Sequence, residues 1–126
     1  MGVAKQQVYK CKVCGLIVEV VAAGSCVPSC CGQPMTLMAE NTQDASREKH
    51  VPVVQVQGDG ILVKVGEAPH PMEPDHYIEW IEVINGAYVN RCHLKPGDAP
   101  QAAFYVPMQP GLVVRAYCNK HGLWKK

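Results

Sequence analysis

The sequence predicts a mainly β chain in two parts, a small metal-built module followed by an antiparallel β-sandwich. Three observations lead there. Short apolar runs recur between turn formers, with ten Pro and eleven Gly scattered through 126 residues. No stretch carries a helical period longer than about two turns. The polar, aperiodic run from Ala39 to Glu48 separates a cysteine-rich beginning from a histidine-rich remainder. Cys11, Cys14, Cys26, Cys30 and Cys31 precede that run, whereas Cys92, Cys118 and all five His follow it.

The boundary falls near residue 38, giving a first domain over 1–38 and a second over 39–126, with 39–48 as the linker. A segment that short cannot bury an independent apolar core, so the first domain should be organised by its cysteines. Tyr9-Lys10-Cys11-Lys12-Val13-Cys14-Gly15 is a C-x-x-C knuckle. Its spacing lets two sulfurs reach one metal, and the Gly permits the tight turn. The adjacent pair Cys30-Cys31 completes a set of four thiols that suits tetrahedral zinc or a single iron. Cys26 reads as a small buried hydrophobe.

In the second domain, Val53 to Gln57 and Ile61 to Val65 flank Gly58-Asp59-Gly60 as a hairpin. Tyr77 to Ile84 is a longer apolar-rich strand, and Asn85-Gly86 after it predicts a type I′ turn into Ala87 to Leu94. Lys95-Pro96-Gly97 turns the chain again. Ala102 to Val106 and Leu112 to Tyr117 complete the set, separated by Pro107 and Pro110-Gly111.

Composition narrows the function. With 48% hydrophobic residues, 18% charged residues and a net charge of +1, the chain is neither disordered nor basic enough for non-specific nucleic-acid binding. Seven cysteines, an odd number, exclude a fully paired disulfide framework. Met1 to Gln7 lacks the apolar run of a targeting segment, and Gln6 stands where a myristoylation motif wants Ser or Thr. No apolar stretch reaches the length of a membrane span. The expected location is the reducing cytoplasm, where clustered cysteines serve metals.

Three segments carry the remaining signal: Glu48-Lys49-His50-Val51-Pro52, His70-Pro71-Met72-Glu73-Pro74-Asp75-His76-Tyr77, and Cys118-Asn119-Lys120-His121-Gly122-Leu123-Trp124. Each His lies beside a turn former or strand end, where loops bring ligands together on a β scaffold. Four His and one Cys would leave one octahedral position open, as a metal needs for chemistry. Any single His is more often a solvated or satisfied residue than a ligand, but five within 72 residues favour a metal.

These residues resemble desulfoferrodoxin, the two-iron form of superoxide reductase, over essentially the whole chain. Y-K-C-K-V-C-G with the C-C pair is similar to its desulforedoxin-type, rubredoxin-like module. E-K-H-V-P, H-P-M-x-x-x-H-Y-I-x-W-I and C-N-x-H-G-x-W are similar to the three ligand segments of its catalytic domain. The resemblance implies two non-haem irons: Fe(Cys)4 at Cys11, Cys14, Cys30 and Cys31, and Fe(His)4(Cys) at His50, His70, His76 and His121 with axial Cys118. It implies a seven-stranded immunoglobulin-like sandwich for the catalytic domain. His93, Cys26 and Cys92 match no ligand position.

The implied reaction is one-electron reduction of superoxide to hydrogen peroxide without release of dioxygen. Lys49 is implied to attract superoxide and organise a water for proton delivery. Glu48 is implied to occupy the open position in the oxidised state and to assist departure of peroxide. Without the adjacent His, Glu48-Lys49 would read as a solvated ion pair worth little. A rubredoxin-like electron donor and a homodimer are further implications. Two roles stay open for the Fe(Cys)4 centre: relaying electrons from that donor, or mainly holding the small domain and a dimer together. Two rival classes are an electron carrier with closed sites and a colourless, zinc-stabilised interaction module.

Overall fold

A computed structural model describes residues 2–44 and 49–126, and every helix or strand element among them is a strand. The chain divides into two compact units, Met1–Ala39 and Glu40–Lys126.

In the first unit β1 (Val8–Lys10) lies between β2 (Ile17–Glu19) and β5 (Thr36–Leu37), antiparallel to both. A separate two-stranded ribbon pairs β3 (Ser29–Cys30) with β4 (Gln33–Pro34). The core is thin: Tyr9, Cys11 and Met35 are buried together, with Val3, Val18, Val20, Val27 and Cys30 packed partly against them. Strands of two or three residues expose most of their edges, so this apolar cluster is a weak basis for folding without cross-links or metal.

The second unit begins with β6 (Glu40–Asn41), which pairs in parallel with a later strand and so gives order to part of the stretch read as linker. Its other strands are β7 (Pro52–Gln57), β8 (Gly60–Val65), β9 (Ile78–Asn85), β10 (Tyr88–His93), β11 (Gln101–Phe104), β12 (Val113–Cys118) and β13 (Gly122–Lys125). They form two sheets, β10-β9-β12-β13-β6 and β11-β8-β7. The chain changes sheet between β6 and β7, between β8 and β9, between β10 and β11, and between β11 and β12, as an immunoglobulin-like sandwich does. Alternate residues of β8, β9, β11 and β12 supply one core, including Ile61, Val63, Ile81, Val83, Phe104 and Val114. Each such apolar side chain contributes about 1.5–3 kcal/mol on burial.

The β9–β10 connection corrects one expectation. Asn85 pairs with Tyr88, so the turn residues are Gly86-Ala87 rather than Asn85-Gly86. Only Gly86 has positive φ, at 58°, whereas type I′ needs it at both positions, and Gly at the first is the mark of type II′.

The outer face of the larger sheet carries charge. Glu82 on β9 is fully buried between Arg91 on β10 and Arg115 on β12, its register partners on either side. Arg91 Nη2 donates to Glu82 Oε1 at 2.9 Å, and Arg115 Nε to Oε2 at 2.7 Å. Arg115 Nη1 continues to Glu40 Oε2 at 3.0 Å, joining β6 to the row. Burial, with Arg115 nearby, lowers the Arg91 pKa from its ordinary value.

Candidate metal centres

The first centre is built by two turns. Cys14 N donates to Cys11 Sγ at 3.5 Å, while Gly15 N reaches Cys11 O at 3.0 Å; Gly15 closes this knuckle with φ of 84°, which a glycine adopts without strain. Adjacent residues on a strand point to opposite faces, so Cys30-Cys31 cannot both face one metal in extended backbone. Cys31 resolves this with φ of 52°, turning its thiol back to within 3.8 Å of Cys30 Sγ. Cys14 Sγ lies 3.6 Å from Cys30 Sγ, and the sulfurs of Cys11, Cys14, Cys30 and Cys31 all lie within 4.8 Å of one another.

Electrostatics make that set a cation site. The amide of Cys14, with that of Val13, holds the Cys11 thiol down at about 6 against the opposing effect of burial. Hydrogen bonding to Cys11 and then Cys14 pushes Cys30 up to about 12, and Cys31 is raised chiefly by hydrogen bonding to Cys14. Cys11 is eased toward thiolate while Cys30 and Cys31 are held back from it, and a bound cation would supply the charge that lets this sulfur set ligate zinc or iron.

The second centre lies at one end of the sandwich. His50, His70, His76, Cys118 and His121 each offer one donor within 4.8 Å of all the others. The four rings form a closed square: centroids are 4.6 Å apart for His50–His70, 4.9 Å for His70–His76, 5.1 Å for His76–His121 and 4.9 Å for His50–His121. Neighbouring planes are steeply inclined, between 61° and 83°. His50 Nε2 and His121 Nδ1 approach to 3.2 Å. His70 Nδ1 is engaged by Pro71 O at 2.7 Å, which leaves Nε2 for the centre. Four imidazoles and a thiolate are a donor set that iron accepts, so the residues fit the group.

Local turns, a bulge and side-chain hydrogen bonds place the ligand segments. His76 closes a tight turn in which Glu73 and His76 exchange backbone hydrogen bonds at 2.9 and 3.1 Å around Pro74-Asp75. Cys118 ends β12, fully buried in the sandwich core. A bulge there pairs Tyr117 with Trp80 but Cys118 with Ile78, skipping Glu79. Asp44 Oδ1 accepts from His50 N at 2.6 Å and Val51 N at 3.2 Å, anchoring the segment that bears Lys49. Gly66, with φ of 85°, lies against that segment; a Cβ there would run into the carbonyls of Lys49 and Ala68. Asn119 joins two ligand loops. Its Oδ1 accepts from Tyr77 N at 2.9 Å, its Nδ2 donates to Asp75 O at 3.0 Å, and its N donates to Tyr77 O at 3.2 Å.

All nine ligand candidates fall into the two clusters expected. Lys49 is half-buried beside His50 in the chain, while Glu48 lies outside the described residues. Cys92 packs partly against the sandwich core and His93 is exposed on β10, away from both clusters. Cys26 corrects an expectation, being exposed rather than a buried hydrophobe; it lies in a bend with Ser25, whose hydroxyl is 3.7 Å from its sulfur. The roles of Asp44, Gly66 and Asn119 escaped the sequence reading, although Asn119 stands within one of its ligand motifs. Of these only Asn119 carried a signal, an amide with donor and acceptor between two ligands.

Comparison with known proteins agrees across the chain. The family model described as Desulfoferrodoxin, N-terminal domain, matches residues 3–38, and that described as Desulfoferrodoxin matches 42–126. A desulfoferrodoxin homolog of Archaeoglobus fulgidus is 59% identical over 119 residues, covering 94% of each chain. A desulfoferrodoxin of Syntrophotalea carbinolica is 55% identical over 120 residues, covering 95% of this chain and 94% of that one. Among solved structures, a superoxide reductase from Treponema pallidum has a TM-score of 0.72 at 26% identity, covering 95% of this chain and 96% of its own. With two matching models and relatives this similar, the chain belongs to the desulfoferrodoxin family.

Proposed function

We propose that the chain is a superoxide reductase, an oxidoreductase that reduces superoxide to hydrogen peroxide at the His50, His70, His76, His121 and Cys118 centre. The observation that carries this reading is the square of four imidazole rings with a buried thiol beside it, five donors converging where six are needed to saturate iron. Its relatives include proteins named superoxide reductase, such as that of Pyrococcus abyssi, 36% identical over 100 residues. Superoxide takes up one electron and two protons, and no dioxygen leaves.

His50, His70, His76, His121 and Cys118 would hold the iron, which when bound would supply the electron, with the Cys118 thiolate as an electron-rich donor. The chain supplies the rest. Burial of His50 and His70 at 3% exposure keeps their rings fixed, while the more exposed His121 lies at the solvent side. Lys49 directly precedes His50 in the chain, and its ammonium would attract an anion to the centre and order a water for proton delivery. Glu48 would be its partner, a carboxylate that could ligate iron held there in the oxidised state and would help peroxide leave. The centre at Cys11, Cys14, Cys30 and Cys31 takes electrons from a rubredoxin-like donor and passes them on, in a cytoplasmic homodimer.

Lys49→Ala tests the anion-attracting role. The second-order reaction with superoxide in pulse radiolysis should slow about tenfold or more and lose much of its salt dependence. An unchanged rate and salt slope would remove Lys49 from the reaction.

A further inference from the structure

Trp124, on β13, touches two ligand residues in two different ways. Its ring stacks on the His50 ring, centroids 4.5 Å apart and planes 15° from parallel. Its Nε1–H donates to His121 O at 3.1 Å. His50 precedes β7 and His121 lies in the β12–β13 turn, so these ligands come from segments far apart in sequence. We propose that Trp124 is a positioning residue that clamps His50 and His121 into the square, an inference that rests on the function proposed above.

The physical case starts from the imidazole's freedom. A histidine ring turns about its Cβ–Cγ bond in a broad, shallow well, and that rotation sweeps the lone pair of Nε2 away from any fixed point. A flat neighbour lying almost parallel on one face stops the sweep. His50 thus keeps Nε2 aimed at the point where His121 Nδ1 also converges, 3.2 Å away. His121 presents Nδ1, the nitrogen nearer its own backbone, so the direction of that donor follows the backbone closely. The indole N–H holds the carbonyl of the same residue. One side chain therefore fixes one ligand by its ring and the other by its peptide. Outer partners of metal-bound histidines commonly change affinity about 10–100-fold.

Trp124→Leu removes both contacts, whereas Trp124→Phe keeps an aromatic face and loses the N–H. In the iron-loaded full chain, Trp124→Leu should release ferrous iron from the Fe(His)4(Cys) centre to a competing chelator about 10–100-fold more readily. It should also shift the thiolate-to-iron absorption of the oxidised centre. Trp124→Phe should show a smaller change in both, and the Fe(Cys)4 absorption should stay constant as an internal reference. Wild-type retention and absorption in Trp124→Leu would overturn the proposal, as would equal losses at both centres. If Trp124→Leu fails to fold, Trp124→Phe carries the test, and an unchanged band and retention there would overturn it. A wild-type chain that takes up no iron at the five residues would instead overturn the function on which the inference rests.

Discussion

The two metal centres use opposite relations between ligand and fold. In the first unit three residues, Tyr9, Cys11 and Met35, form the buried apolar cluster, and one of them is itself a ligand. In the second, Cys118 is one member of a large core that includes Ile61, Val63, Val65, Ile81, Val83 and Phe104. There the four histidines stand on loops and strand ends around an independently packed sandwich. Metal in the first unit is therefore part of what folds it, whereas metal in the second is held by a scaffold already formed. A centre on a prebuilt scaffold can leave a coordination position unfilled and still keep its geometry.

Removing metal breaks the comparison most strongly. Cys30→Ser, or chelation of the first centre, should unfold the Met1–Ala39 unit, because thiolate–metal binding of about 10 kcal/mol or more exceeds anything its core supplies. Nuclear magnetic resonance should show the signals of Val8, Tyr9 and Met35 collapse while those of Ile81 and Val83 persist. A well-dispersed first unit without metal would show that its apolar cluster suffices.

A smaller effect sharpens the second half. Glu82→Ala removes the carboxylate buried between Arg91 and Arg115, so the sandwich should lose about 3–5 kcal/mol in urea unfolding. The iron spectrum of the remaining folded protein should not change, since the row lies on the sheet's outer face and the ligands at its end. A shifted spectrum would mean the scaffold and its site are less separable than the packing indicates.

The smallest effect concerns the seam between ligand loops. Asn119→Ala deletes the hydrogen bonds to Tyr77 N and Asp75 O, costing about 1–3 kcal/mol. It should move the thiolate-to-iron absorption of the Fe(His)4(Cys) centre and leave the Fe(Cys)4 bands in place. Identical spectra would assign Asn119 to general stability.

Legibility in the sequence followed the range of the interactions. The six sandwich strands from Val53 to Tyr117 could be read because alternation and turn residues are local. β13 was missed, since Gly122–Lys125 lies within a ligand motif and is too short for a period to register. The five first-unit strands are shorter still. The ligand candidates were legible because Cys and His in such spacings have few other uses. Glu82 was not, because the pattern Ile-Glu-Trp-Ile-Glu-Val-Ile presents glutamate as an ordinary solvent-facing residue. Its burial depends on Arg91 and Arg115 arriving from other strands. The Asp44 carboxylate and the missing Cβ of Gly66 meet backbone groups of the Lys49–His50 segment, and backbone groups carry no residue type that would point to them.

The most direct test of superoxide reduction at the second centre mixes the reduced, two-iron protein with superoxide generated by a radiolysis pulse. Absorption of the Fe(His)4(Cys) centre, peroxide and dioxygen are then followed together. The expected result is oxidation of that centre with one hydrogen peroxide formed per superoxide consumed and no dioxygen produced. Dioxygen released in step with peroxide, or superoxide consumed while the absorption of that centre stays constant, would contradict it.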